Sequence, residues 1–327
     1  NFKPEMDEAI QSLGKKYMEK YPKVKVKIVT AASGTYTQTL TSEMDKQGAP
    51  TLFVIGNMEG VKTWSDYAMD LKDTAIAKEL STDDYNLTDD SGKLVSIPYN
   101  YEAFGIAVNT ELIEKAGHKM DDIKDFNSLK KVVEDIHSRA SELGFDAFVA
   151  TDMDDSSSWR VTGHLTNIVC YYDSRDAGGW KQAPATISDK YIPNYKNLYD
   201  LAINNSTVAP NALATGGHDP VTEFTGKKAA FIFSGSFNYA DIKKGGVTST
   251  ACIPYYCGVQ GEEKAGLNCG TENRWAINDN ASEEDKQAKL VSALNAYNNA
   301  PSDSTWEGVK KAFVDGWAEQ YKKANPS

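Results

Sequence analysis

Apolar residues recur at helical spacing at Met6, Ile10, Leu13 and Tyr17, behind Pro4 in the first turn. They then alternate at Val24, Val26 and Ile28, so a helix feeding a strand is predicted. SGTYTQT at 33–39 supplies a loop and a helix start, Met44 and Gly48 to Pro50 end that helix, and Thr51 to Ile55 reads as a buried strand. Such alternation predicts an α/β unit with a parallel sheet. Leu129, Val132, Val133, Ile136, Ala140 and Leu143 line a second helix face closed by Gly144, and FDAFVA at 145–150 reads as the following strand. Another helix starts at SSSWR, with Ser157 or Ser158 as N-cap and Val161, Leu165, Ile168 and Tyr172 as its apolar stripe. That places Trp159 in the first turn, near the surface. AAFIF at 229–233, CIPYY at 252–256 and RWAIN at 274–278 are later strands, and Trp306, Val309, Phe313 and Trp317 share one helical face as core.

Length and composition narrow this picture. A chain of 327 residues is long for one domain and short for three, so two lobes are expected. The longest apolar runs, LFVI at 52–55 and AAFIF at 229–233, are strand-sized rather than membrane-sized, which predicts a soluble globular protein. A net charge of -11 with scattered basic residues gives no footprint for a phosphate backbone, and no nucleic-acid partner is expected. The 17 Tyr and 6 Trp are plentiful for so polar a chain, and flat amphipathic rings suit both core packing and sugar contact. The chain begins at Asn1 without Met or an apolar leader, so an export signal is expected to lie outside this sequence.

Cys170, Cys252, Cys257 and Cys269 form no CxxC pair, which argues against a zinc ribbon or redox motif. A Cys252–Cys257 bridge within one strand would have to span roughly 16 Å, beyond disulfide reach. Cys257 and Cys269 could face each other across a turn near Glu262 to Lys264, the alternative being buried free thiols.

Other chemistries leave little trace. No GxGxxG or GxxxxGK[ST] loop occurs, so no cofactor is expected. FSGSF at 233–237 fails as a nucleophile elbow because Asn238 stands where Gly is needed. His118, His137, His164 and His218 make no HxH, HxxxH or HExxH set, and no metal is expected. Nothing marks a glycosidase acid and its partner among the 46 acidic residues. What remains is a group of turn segments that mix amide, carboxylate and aromatic side chains: SGTY (33–36), GNMEG (56–60), PYNYE (98–102), SSWR (157–160), SGSFN (234–238) and GTENRW (270–275). Binding sites of open α/β sheets form at strand ends. Sugars need planar hydrogen-bonding groups for hydroxyl pairs and an aromatic face for the C–H side of the ring.

On these segments the chain resembles the carbohydrate-binding branch of the family 1 extracellular solute-binding proteins of bacterial ABC importers. EAIQSLGKKYMEKYPKVKVKIVTAASGTYTQTLTSEMDKQGAPTLFVIGNMEG resembles the opening helix, strand and first sugar-facing loops, and KLVSIPYNYEAFGIAVNTELIEKAG the run into the first crossover. FTGKKAAFIFSGSFNYADI matches a strand and Gly-x-aromatic turn, with Phe237 where many relatives carry Trp. CGTENRWAINDNAS matches the return strand.

The resemblance implies an α/β, two-lobed periplasmic-binding-protein-like fold, with hinge-connected lobes and a ligand cleft between them. It implies one lobe of residues 1–107 and 263–288, another of 108–262 and 289–327, and crossings near 107, 262 and 288. Trp159 and Phe237 would be ring platforms, with Ser236 in the same turn as Phe237. Asn57, Glu102, Arg160, Glu272 and Asn273 would be hydroxyl partners, and Tyr36 could serve in either role. The implied function is extracytoplasmic capture of an oligosaccharide, without chemistry, for the permease subunits of an ABC transporter. The protein would be a monomer, lipid-anchored at a Gram-positive surface or periplasmic. The alternatives are a binder of peptide, polyamine or chelated metal, and a carbohydrate-active enzyme. Two departures from the family pattern matter. A strand expected before the first helix is missing, so residues are expected to be absent there, and segments that the family separates abut at Ala288 and Lys289, where the alternatives are a shortened variant and omitted residues, omission being the expectation.

Overall fold

A computed structural model of the chain describes residues 1–280 except 47, 155, 180–183 and 185. The strands are β1 (Leu52–Val54), β2 (Leu87–Thr88), β3 (Leu94–Pro98), β4 (Glu102–Asn109), β5 (Asp146–Phe148), β6 (Ala229–Gly235), β7 (Thr250–Ile253), β8 (Asn268–Gly270) and β9 (Arg274–Ile277). The α-helices are α1 (Asp7–Lys20), α2 (Tyr36–Met44), α3 (Met58–Trp64), α4 (Thr110–Lys115), α5 (Phe126–Ser138), α6 (Ala140–Leu143), α7 (Asn167–Asp176), α8 (Ile192–Asn204), α9 (Pro220–Thr225) and α10 (Tyr239–Lys244). A π-helical stretch, Arg160–Leu165, leads into α7. Contacts divide the chain into two compact units, Asn1–Tyr101 with the stretch from Gly270 onward, and Glu102–Cys269.

In the first unit, Asp7 and Glu8 in the opening turn of α1 complement its N-terminal dipole, and Gly14 and Tyr17 are its buried residues. The expected strand through Val24, Val26 and Ile28 is not a strand. A Cβ at Gly14 would lie 2.7 Å from Ile28 Cδ1 and 3.5 Å from Val26 Cγ1, so the alternating side chains pack onto the helix instead. This segment's polar groups are met outside any ladder: Gln11 donates to the Ile28 carbonyl, and the Asn1 ammonium donates to that of Val29 at 2.6 Å.

The first sheet has the order β1-β9-β3-β2, and each neighbouring pair is antiparallel. In the second unit the order is β5-β6-β4-β7, with β8 also on β4. Here β5 and β6 are parallel, whereas β4 runs antiparallel to both β6 and β7. The expected parallel sheet is therefore corrected in an informative way. Strands linked by helices within a unit do share a direction, β1 with β3 and β5 with β6 and β7. One opposed strand, β9 or β4, is inserted among them. Each is the strand with which the chain arrives from the other unit, so no crossover helix dictates its direction.

That insertion also places the boundaries. β4 is held against β6 from Phe104 (opposite Gly235) to Val108 (opposite Phe231), so the chain changes unit at Tyr101/Glu102 rather than near 107. Because β8 lies on β4, the return falls at Cys269/Gly270 rather than near 262. The crossing near 288, the Ala288–Lys289 junction, residues 289–327 and the Trp306 to Trp317 face lie outside the described residues.

Apart from half-buried Ala140, the stripe on α5 and α6 is buried as its spacing predicts, started by a reciprocal cap between Asp125 and Ser128 and ended by Gly144 at φ 79°. It packs with Phe148, Phe231, Phe233 and the stripe Val161, Leu165, Ile168 and Tyr172 in the second unit's main core. A smaller core in the first unit gathers Phe53, Ile55, Val61, Trp64, Val95 and Ala276. The cap before Trp159 is neither serine; Asp154 Oδ1 accepts from the Ser156 and Ser157 N–H groups. Of the two cysteine readings the bridge is absent: Cys257 is buried, Cys269 is exposed, and both are free thiols. Among the described residues no helix is long and apolar enough to cross a membrane.

Candidate functional site

Within the second unit, aromatic side chains converge from three elements. Trp159 stands immediately before the π-helical stretch, and its ring meets Phe237 edge-on at 5.5 Å and His164 at 5.0 Å. In an α-helix residues five apart point to different sides, but i→i+5 winding stacks them on one side. The π stretch thus brings His164 under Trp159. His164 in turn stacks on Phe104 of β4 at 4.1 Å, and Phe104 lies 6.1 Å from the ring of Tyr255, just past β7. Phe237 can approach because position 235 is glycine: a Cβ there would sit 2.7 Å from Phe237 Cε1 and 2.4 Å from the Ala103 carbonyl. The exposed Ser236 accepts the Ala103 N–H at 3.2 Å, which ties this turn to the start of β4 beside half-buried Glu102.

Arg160 is the charged member of the group. Its guanidinium lies 4.2 Å from the centre of the Trp159 ring, and the residue is only 4% exposed. Burial pushes its pKa down to about 10, opposed chiefly by the charge of Asp219 and also by that of Asp154, so it stays protonated at neutral pH. The Trp159 indole N–H donates to the Ser156 carbonyl at 2.8 Å.

In the first unit a second group forms around Arg274. Its Nη1 donates to the Gly56 carbonyl at 2.6 Å, and its Nε donates to the Tyr85 carbonyl. Burial lowers its pKa and Glu272 opposes that effect. Gly56 is pressed against the Glu272 backbone, where a Cβ would meet the carbonyl oxygen at 2.5 Å. Arg274 therefore fastens the GNMEG and GTENRW turns and the 85 region together. Asn57 is exposed and caps α3, its Oδ1 accepting the Gly60 N–H at 2.8 Å. Glu272 is exposed, whereas Asn273 is fully buried with no hydrogen-bond partner for either side-chain amide atom among the described residues. Close by in chain and space, the Tyr99 and Trp275 rings lie 4.5 Å apart, and Tyr85 meets Tyr101 at 5.6 Å.

Of the residues expected from sequence, Trp159, Arg160, Ser236 and Phe237 gather in the second unit, with Glu102 one residue from the Ser236 contact. Asn57, Glu272 and Asn273 lie on turns gathered in the first. Tyr36 is held against β1: its hydroxyl accepts the Val54 N–H at 2.6 Å, its ring lies against Phe2, and burial pushes its pKa up to about 12. Sequence reasoning missed Phe104, His164, Tyr255 and Arg274. Arg274 sits inside a turn segment already singled out, GTENRW, whereas Phe104 lies two residues beyond PYNYE (98–102), in the KLVSIPYNYEAFGIAVNTELIEKAG stretch that carried the family resemblance. His164 had no such signal, because its placement depends on a departure from α-helical winding. Among the described residues no three His, Cys, Asp or Glu side chains gather as a metal site.

Two units, each with an opposed strand at the point of entry and polar-aromatic turns at strand ends, define a two-lobed α/β binding protein. Residues 12–308 match the bacterial extracellular solute-binding protein family, and the chain belongs to that family. Solved structures of the same fold include the solute-binding protein RafE of Streptococcus pneumoniae in complex with raffinose, at 17% identity over 91% of this chain and 79% of that one, with a TM-score of 0.65. The GacH receptor of Streptomyces glaucescens, solved unliganded and with acarbose, matches at 16% identity over 94% and 81%, with a TM-score of 0.62. A sugar transporter from Bacillus licheniformis in complex with stachyose matches at 18% identity over 95% and 79%, with a TM-score of 0.60. No curated protein sequence matches the chain.

Proposed function

We propose that this protein captures a neutral oligosaccharide outside the cytoplasm and delivers it unchanged to the permease subunits of an ABC importer. The observation that carries this reading is the convergence of Trp159, His164 and Phe237 beside a buried, charged Arg160 in one unit. Rings offer apolar faces to sugar C–H groups, and a guanidinium offers fixed donors to hydroxyls. The three relatives compared above, crystallised with raffinose, acarbose and stachyose, support the same class of ligand. In this reading Trp159 and Phe237 are platforms, with Ser236 fixing the turn that carries Phe237. Asn57, Glu102, Arg160, Glu272 and Asn273 are hydroxyl partners, and Tyr36 serves as a ring platform or a hydroxyl partner. The protein acts as a monomer, held at the cell surface by a lipid anchor or free in a periplasm.

Thermal-shift screening against raffinose, stachyose and other neutral oligosaccharides tests it. A ligand that binds only the folded state adds RT ln(1 + [L]/Kd), roughly 4 kcal/mol for micromolar affinity at ~1 mM. The melting temperature should rise by several degrees, and the sugar should be recovered intact. A shift with a peptide or polyamine and none with any sugar overturns the reading, and so does turnover of the sugar.

A further inference from the structure

The ring cluster has a polar floor whose hydrogen bonding is incomplete. Tyr255 is 4% exposed, packed between Phe104 and Phe233, and its hydroxyl has no hydrogen-bond partner among the described residues. Arg160, equally buried, has no partner for its Nε among the described residues, and the hydrogen bond its guanidinium does make there is a long 3.5 Å contact from Nη1 to the Ser156 carbonyl. Leaving a buried donor unpaired is costly, and more so when it is charged. Two such groups acting electrostatically on each other within one cluster are an expensive arrangement to keep without a use.

We infer that Arg160 Nε and the Tyr255 hydroxyl together recognise hydroxyl groups of one uncharged sugar unit, and that this pair rejects saccharides bearing a carboxylate there. This rests on the carbohydrate reading and specifies it. The charge balance decides the ligand class. Asp219 and Asp154 already act on the Arg160 charge, so an incoming carboxylate would meet two like charges there. Burial and the nearby Cys252 raise the Tyr255 pKa, which keeps its hydroxyl neutral and able to donate. A sugar hydroxyl both accepts and donates, so it can take the Nε–H and complete the tyrosine without bringing charge into a buried site. Trp159, itself half-exposed, lies against the guanidinium.

Isothermal titration of wild type, Tyr255→Phe and Arg160→Gln with raffinose, stachyose and a uronic-acid oligosaccharide tests the pair. Tyr255→Phe removes one oxygen and keeps the ring. Affinity for the neutral sugar that binds wild type should fall about tenfold, with the melting temperature of the unliganded protein unchanged or raised. Arg160→Gln should fall further, and the uronic-acid oligosaccharide should fail to compete in wild type. Undiminished affinity in Tyr255→Phe overturns the inference while leaving the carbohydrate reading intact, and so does a uronate that binds as tightly as its neutral counterpart. If wild type binds none of the sugars, the carbohydrate reading itself falls and the inference falls with it.

Discussion

Trp159 and Arg160 draw on one acceptor: the Ser156 carbonyl takes the indole N–H at 2.8 Å and the Arg160 Nη1 at 3.5 Å. The short bond belongs to the ring, which fixes the indole in place, while the guanidinium is left with a weak contact. Any movement of Trp159 toward a ligand would release that carbonyl to Arg160. Ring and cation are thereby linked through a main-chain atom as well as by their 4.2 Å stacking contact.

Replacing Trp159 with alanine should therefore weaken sugar binding much more than folding. Stacking one sugar face removes on the order of 100 Å² of apolar surface from water, worth ~2.5 kcal/mol. That corresponds to roughly a 50- to 100-fold rise in Kd. Titration calorimetry and denaturant melts on the same variant check it. A loss of about 3–5 kcal/mol in stability with affinity preserved would make Trp159 a core ring instead.

Gly56→Ala should destabilise the first unit by about 1–3 kcal/mol, because the new Cβ would lie 2.5 Å from a backbone oxygen of Glu272 that cannot yield. Weaker sugar binding should accompany it, since Asn57 and Glu272 are carried on the two turns forced apart. A variant that melts with wild type would show that these turns are not rigidly opposed.

Glu262→Ala should cost at least about 3 kcal/mol. The buried carboxylate accepts the N–H groups of Phe126 and Cys257, each at 2.6 Å, and of Gly258 at 2.8 Å, and all three lose their acceptor together. Urea denaturation measures this directly. A cost below about 1 kcal/mol would mean that water replaces the carboxylate without penalty.

Acid should remove one contribution at Asp176. Hydrogen bonds from Lys190 and then Tyr191 hold its pKa down to about 2 in the folded protein, below the ~3.9 of an unfolded chain. A depressed folded pKa stabilises above the unfolded value, and that stabilisation is lost as pH falls from about 4 to about 2. The carboxylate is solvent-screened, so the effect is small. Melting temperatures of wild type and Asp176→Asn at pH 6, 4 and 2.5 should converge toward the acid end. A constant difference across that range would exclude the coupling.

Periodicity located α1, the α5–α6 pair and the stretch from Arg160 through α7, and the last two carry the fullest buried stripes. Leu129, Val132, Val133, Ile136 and Leu143 are buried as their spacing requires, as are Val161, Leu165, Ile168 and Tyr172. The Val24 to Ile28 segment misled because alternation records that one side is buried, not what covers it, and here the cover is α1 near Gly14. Strand direction was hidden for a related reason: nothing in RWAIN or EAFGIAVN says that each enters a sheet from outside its unit. Candidate site residues were legible where turn chemistry is local, as at Asn57, Ser236 and Phe237. His164 and Tyr255 were not, because their proximity to Trp159 and Phe104 follows from π winding and from the register of β7 on β4.

The opposed strands also impose a timetable on biosynthesis. Glu102–Cys269 is one uninterrupted stretch and contains every strand of its own sheet apart from the last residue of β8. The first unit is different: β1 and β3 have no ladder between them until β9 arrives, and Leu52 must wait for Ile277. On a ribosome or an export channel that emits the N-terminus first, the unit begun earlier is thus finished later. Its apolar strand edges stay open while the middle of the chain folds, a long-range closure of the kind that slows folding and invites capture by chaperones.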